Sequence, residues 1–472
     1  MDYNAIEKIL TEQIQNDELA IFAGAGVSIG AGYVSWKDLL RDIAEEIGLE
    51  IDKEHDLITV AQYHYNRFSR NKLDQKILNE FSRVANDNSL INIICKLPIR
   101  TIWTTNYDKL IEETYKKFNK KIDVKINNNH LSLNLRNKEC DLFKIHGDKD
   151  DPSSAVITRD DYEFFFREKS LFVNKLISDL LSKTFIFIGY SFGDPNFEHV
   201  LSSIRYDLMG KSRTHYCFQK VISKDDYENE NDYRYEKIKQ ELKIEDLKKY
   251  NIHTVLIETF DDLTRIFNNV LFELTKRNIF ISGAASCYND FGSNDEAKEF
   301  IIDIAYELTK SGYNIISGYG LGVGGFVVDG IISSINDNKL NAYEKYIVKP
   351  FPQGISNKNS RKELWTNHRR NLISKASTSI FLFGNKVEDG ELVLSNGMQE
   401  EFEISKEMGN IIIPIASTGY KARDIYNLMI EDNDLPSNHY LLNLKELAEE
   451  KKAKNVVDTI LKIIEESKSR QL

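Results

Sequence analysis

Residues 19–28, Leu19-Ala20-Ile21-Phe22-Ala23-Gly24-Ala25-Gly26-Val27-Ser28, decide the fold. Five apolar residues run into two glycines separated by an alanine, and a helical pattern follows. A short continuous apolar run bounded by glycine is the signature of a parallel strand buried on both faces. The pattern returns at Ile279-Phe280-Ile281-Ser282-Gly283 and predicts a second unit of the same kind.

Outward from the first run, strands are expected at 101–104, 142–145, 184–189, 215–218 and 253–257. From the second they are expected at 314–317, 346–349, 379–383 and 411–415, with helical stretches between. This alternation predicts an α/β protein of two Rossmann-like, doubly wound parallel-sheet domains. Residues 224–250, rich in Lys, Glu, Asp and Tyr, are expected to form one long solvated helix. A strand and a helix at 261–275 follow, so the domains are placed at 1–275 and 276–472.

The length of 472 residues agrees with two domains, since single cores stop growing near ~250–300 residues. An apolar fraction of 41% with 29% charged residues excludes a largely disordered chain. The 62 Lys+Arg against 73 Asp+Glu leave a formal charge of −11, with −8 in residues 1–275 and −3 in 276–472. That balance argues against broad binding to a nucleic-acid backbone, which needs clustered cations. Cys95, Cys140, Cys217 and Cys287 are scattered without a C-x-x-C pair, so reduced thiols and no bound metal are expected. The first fifteen residues read as an amphipathic helix, and no apolar run approaches the ~18 residues of a membrane span. A cytoplasmic location and no membrane partner are expected.

Four strand ends in the first half carry chemistry-bearing residues. Gly24-Ala25-Gly26-Val27-Ser28 is either a tight turn or a backbone cradle for a pyrophosphate. Trp103-Thr104-Thr105-Asn106-Tyr107-Asp108 puts Asn106 and Asp108 where open α/β sheets bind ligands. Lys144-Ile145-His146-Gly147-Asp148 and Ile188-Gly189-Tyr190-Ser191-Phe192-Gly193-Asp194 repeat the arrangement. Each alone is compatible with a helix cap or a satisfied polar loop.

In this order the four segments resemble the sirtuin signature, GAGxS, T-x-N-x-D, HG and G-[ST]-S, over roughly residues 1–275. The resemblance implies that NAD contacts Ala23, Gly24, Ala25, Gly26, Ser28, Asn106, Asp108, Gly189, Ser191 and Phe192. It implies that Asn106 orients the ribose and a water, and that His146 is the general base, work suited to an imidazole. Sirtuin deacylases carry a four-cysteine zinc module after the HG motif, whereas Cys217 is the only cysteine between His146 and Tyr250 here. Water is therefore the expected acceptor, giving nicotinamide and ADP-ribose. A zinc-free deacylase or ADP-ribosyltransferase, and a non-enzymatic nucleotide sensor, are the alternatives.

In the second half, Ser282 and Gly283 end one strand. Five glycines fall between Gly318 and Gly325, either as a phosphate-contacting loop or as backbone packing. Residues 361–370 carry a local charge of +3, as a solvated helix face or a cationic clamp. Phe383-Gly384-Asn385-Lys386 and Asn396-Gly397-Met398-Gln399-Glu400-Glu401 complete the set. This half resembles the SLOG superfamily, with the glycines of its catalytic stretch mostly lost, which favours binding over hydrolysis.

Sirtuin-like then SLOG-like is the order of the ThsA effectors of bacterial Thoeris anti-phage systems. The chain resembles them in Tyr33-Val34-Ser35-Trp36, Pro350-Phe351-Pro352-Gln353-Gly354 and Arg369-Arg370 as well. That resemblance implies a homotetramer whose NADase is switched on by a cyclic ADP-ribose isomer from a TIR-domain cyclase. The signal would contact Ser282, Gly283, Gly318, Leu321, Gly322, Lys386, Arg369 or Arg370, and Glu401, with Glu403 as the other candidate carboxylate.

Overall fold

A computed structural model describes residues 2–341, 345–352, 358–431 and 438–471. Gln353 and Gly354 of the 350–354 stretch lie outside them. The chain divides into two compact units, Met1–Leu271 and Phe272–Leu472.

The first unit is built on seven strands: β1 (Leu19–Ala23), β2 (Thr101–Thr104), β3 (Ile122–Lys125), β4 (Cys140–Lys144), β5 (Thr184–Ile188), β6 (His215–Lys220) and β7 (Ile252–Ile257). They lie in the order β3-β4-β2-β1-β5-β6-β7, and every neighbouring pair is parallel. The chain lays β2, β4 and β3 to one side of β1, then recrosses and adds β5, β6 and β7 on the other. Strand order reverses at β1, which makes its C-terminal end the crevice where such sheets take ligands. Ala23 pairs with Thr104 and Ile188, and Thr104 with Lys144, so β4, β2, β1 and β5 end abreast. With adjacent strands only ~4.8 Å apart, four loops distant in sequence must converge there.

Burial explains the apolar runs. β1, β2 and β5 are buried at every residue, as strands covered on both faces must be. Trp103 stacks on Phe143 with centroids 4.4 Å apart, and its indole N–H donates to Asp179 at 3.0 Å, which meets the one polar demand of a large buried ring.

The second unit has β8 (Asn278–Ala284), β9 (Asn314–Ser317), β10 (Tyr346–Val348), β11 (Thr378–Phe383) and β14 (Ile411–Pro414) in the parallel order β10-β9-β8-β11-β14. Alternation along the strands shows both faces covered. Ile279, Ile281 and Ile315 enter one core with the helices Asn294–Lys310 and Gly324–Asn338; Phe280 and Ile316 enter another with Leu372, Ile373 and Ile404. Both units are thus doubly wound, as expected.

Three features differ from the expectation. β3 is short and half-buried, too polar to stand out as an apolar run. β12 (Asn385–Glu388) and β13 (Glu391–Leu394) form an antiparallel hairpin turned by Asp389 and Gly390, both at positive φ. The long helix begins only at Glu230 and ends at Lys248, because Asn229 caps it and a short 3₁₀ turn takes up Lys224–Asp226.

Candidate active site

The convergent loops of the first unit enclose a cavity of ≈ 720 Å³. Ala25, Gly26, Ser28, Asn106, Asp108 and His146 line it, as do Gly189 and Ser191.

Asn106 is held in one orientation by a chain of directional hydrogen bonds. The Asp108 carboxylate only accepts, so the Ser28 hydroxyl, 2.7 Å from Oδ2, donates to it. Ser28 Oγ therefore accepts from Asn106 Nδ2 at 2.9 Å, and Nδ2 also donates to the Gly24 carbonyl at 3.0 Å. Both amide protons are spent on the protein. The Oδ1 of Asn106 is left as an acceptor for a substrate hydroxyl or a water. The backbone beneath is pinned too: Asn106 N donates to Thr104 Oγ1 at 3.0 Å, and Thr104 Oγ1 to the Ala23 carbonyl at 2.8 Å. Lys144, almost wholly buried, donates to the carbonyls of Tyr107 and Asp108 and fixes the far side of the loop.

His146 follows β4 and lies 2.8 Å, through Nε2, from Asp194 Oδ2, with each side chain only 8% exposed. Its ring meets Tyr162 and Phe165 edge-on, with centroids 5.6 and 6.0 Å away. Burial pushes the Asp194 carboxyl up. His146 and the N–H groups of Phe197 and Asn196 outweigh it and hold the group below the usual carboxylate range.

The glycines after β1 and β5 sit where backbone meets backbone. Gly24 N donates to the Ile188 carbonyl and Gly26 N to the Gly189 carbonyl, both at 2.9 Å, so neither N–H is offered to a pyrophosphate. A Cβ on Gly24 would stand 2.4 Å from Gly189 O, and one on Gly189 2.5 Å from Val27 N. The glycines let the loops after β1 and β5 touch. Phe192, expected on NAD, packs its ring on Phe187 and Tyr190 with centroids 4.9 and 5.1 Å away.

Sequence reasoning left several wall residues unassigned. His55, Leu57 and Ile58 come from a segment without a motif, Trp36 from a loop quoted for its resemblance but given no role, and Tyr162 and Tyr190 look like ordinary core aromatics in sequence. The Tyr190 hydroxyl is buried without a partner among the described residues. Asp194 did carry a signal: an Asp-Pro step after a strand-end loop is a helix start, and Asp194 caps the helix Pro195–Asp207.

In the second unit Ser282 Oγ donates to Glu401 at 2.5 Å. Arg369 Nε donates to the same carboxylate at 3.3 Å and Nη1 to Glu400 at 2.8 Å. Burial drives the Glu401 carboxyl up, and Arg369 and Ser282 offset part of that shift. The Arg369 guanidinium sits 4.8 Å from the centre of the Phe351 ring, and a Cβ on Gly318 would meet that ring at 2.6 Å. Ser282, Gly318, Arg369 and Glu401 are therefore brought together.

Arg370, Lys386 and Glu403 are engaged with other partners. Arg370 forks onto Glu407 at 2.9 and 2.6 Å, Lys386 pairs with Glu388 at 2.8 Å, and Glu403 is exposed and accepts from Gln399. Close backbone and side-chain approach calls for glycine at several positions of this region. A Cβ would stand 2.7 Å from Val323 at Gly283, 2.0 Å from Gly283 O at Gly320 and 1.9 Å from Ala285 O at Gly322. The Leu321 side chain is exposed, and its carbonyl accepts from Ala285 N at 2.8 Å.

A family model described as a SIR2-like domain matches residues 100–255, and one described as the Sir2- and TIR-associating SLOG family matches residues 262–467. The protein named NAD(+) hydrolase ThsA from Bacillus cereus (strain MSX-D12) is 40% identical over 428 residues, covering 90% of this chain and 89% of that protein. Proteins of the same name from Acinetobacter baumannii (strain 532279) and Enterococcus faecium are 39% and 40% identical. They match 93% and 92% of this chain, and 91% of each relative is covered.

Proposed function

Because the chain belongs to the ThsA family of NAD(+) hydrolases, we propose that it cleaves NAD to nicotinamide and ADP-ribose in the cavity of the first unit. The observation that carries this reading is the fixed Asn106 carboxamide, which lines the same cavity as His146. Breaking the nicotinamide–ribose bond builds positive charge on the ribose, and the bonding pair leaves with the pyridine nitrogen. The site must then orient water and hold electron-rich atoms near the anomeric carbon. Asn106 Oδ1 supplies an oriented acceptor, and His146 takes a proton from the water or a ribose hydroxyl.

The second unit is the sensor in this reading. A cyclic ADP-ribose isomer, made by a TIR-domain cyclase, binds at the cluster of Ser282, Arg369 and Glu401 and raises turnover. The working form is a homotetramer in the cytoplasm, and its action is NAD depletion in anti-phage defence. Activation requires that the isomer bind the active state more tightly than the resting one.

Nicotinamide release from purified protein, with and without cyclic ADP-ribose isomers, tests the proposal. Release is expected to rise with the matching isomer and to be unaffected by an acylated peptide. Folded protein that releases none under either condition would sink it.

A further inference from the structure

We propose that Asp194 is a positioning residue for the hydrolysis, holding His146 in one tautomer and one orientation. The proposal rests on the reading that His146 moves the proton in the first unit.

The carboxylate divides its two oxygens. Oδ1 accepts from Asn196 N at 2.9 Å and from Phe197 N at 3.1 Å and so caps the thirteen-residue helix Pro195–Asp207. Oδ2 is left for His146 Nε2 at 2.8 Å. The cap ties the carboxylate to a rigid element, and the direction of Oδ2 follows from that tie. A carboxylate has no proton to give, so Nε2 carries the hydrogen and Nδ1 is the ring nitrogen with the lone pair. Tyr162 and Phe165 hold the ring edge-on and oppose its rotation.

The proton budget of the step closes on these groups. Water adds to the anomeric carbon, the C–N bond breaks toward nicotinamide, and the proton lost by water goes to Nδ1. The imidazolium so formed faces the Asp194 carboxylate across the 2.8 Å contact and is stabilised by it; it then releases the proton to solvent. Asp194 touches the base and acts through it.

A purely structural role predicts something different, because Asn and Ser are as good as Asp at a helix N-cap. Asp194→Asn keeps the cap but presents an amide to Nε2. Asp194→Ser keeps the cap and is too short to reach the ring. In the full chain both are expected to unfold within a few degrees of wild type, to keep KM within about threefold, and to lose ~10²–10⁴ in kcat, the span of a general base. Histidine ¹⁵N chemical shifts, with His146 assigned by its loss in His146→Gln, are expected to show a bare Nδ1 in wild type and mixed tautomers in Asp194→Asn. Wild-type kcat in both variants, or an unchanged His146 tautomer in Asp194→Asn, would overturn the proposal. The tautomer is read without turnover. Wild-type protein that releases no nicotinamide yet shows the fixed tautomer would reject the hydrolase reading and leave the pairing standing.

Discussion

At the scale of single residues, the direction of each hydrogen bond matters more than the presence of a polar group. Asn106 is useful because the Gly24 carbonyl and the Ser28 hydroxyl absorb both of its amide protons. Asn106→Asp keeps size and shape but turns an oxygen toward those two acceptors. It should abolish nicotinamide release as completely as Asn106→Ala, and an assay of the two side by side checks this. Tyr190 offers the converse case. Its buried hydroxyl has no partner among the described residues, so Tyr190→Phe should leave thermal stability unchanged or slightly higher. If NAD bonds to that hydroxyl, KM should rise about 5–10-fold, the worth of one hydrogen bond of roughly 1 kcal/mol. Asn106 and His146 were legible in the sequence because each sits in a compact strand-end motif. Asp194 and Tyr190 were not assigned, because capping and packing explain those residue types without any ligand.

At the scale of elements, backbone contact sets the tolerances. Gly189 has φ 61°, and a Cβ there would press on Val27 N. Gly189→Ala should cost about 2–4 kcal/mol, from the left-handed conformation and the clash together, and chemical denaturation would measure it. His215 opens β6, and its Nδ1 accepts from Phe185 N of β5 at 3.1 Å, so the ring must be neutral to serve the sheet. Burial, with Arg213 nearby, lowers its pKa to about 3. A histidine depressed in the fold contributes stability that is present above the unfolded value near 6.5 and lost as pH falls from there toward 3. Wild type should therefore denature more readily at pH 5 than at pH 7.5. His215→Asn keeps an acceptor without the titration and should flatten that slope. Buried strands were legible because they are apolar throughout. The β12–β13 hairpin was not, since Val387 stands alone among polar residues and the run Leu392-Val393-Leu394 is only three residues long, with both leucines exposed.

At the scale of the whole molecule, an acidic chain binds small anions by local groups, not by net charge. The −3 of the second half coexists with Arg369, which is buried against Glu400 and Glu401 and lies beside Phe351. Arg369→Gln should abolish the response to a cyclic ADP-ribose isomer, whereas Arg370→Ala should retain it. Arg370 is spent on a partly exposed pair with Glu407 worth no more than ~1 kcal/mol. Nicotinamide release with and without the isomer reads both. Light scattering of the purified protein should give four times the chain mass; a stable monomer would remove assembly from the proposed regulation.

The sequence by itself determined two doubly wound units, because strands covered on both faces must be apolar without interruption and their loops must carry the small and polar residues. It also placed Asn106 and His146 at strand ends. Only the tertiary structure decided which oxygens and nitrogens face each other: Asp194 on His146, Ser28 between Asn106 and Asp108, Arg369 and not Arg370 on Glu401. Those pairings join residues tens of positions apart, and they follow from strand order, register and the handful of glycines that let two loops touch.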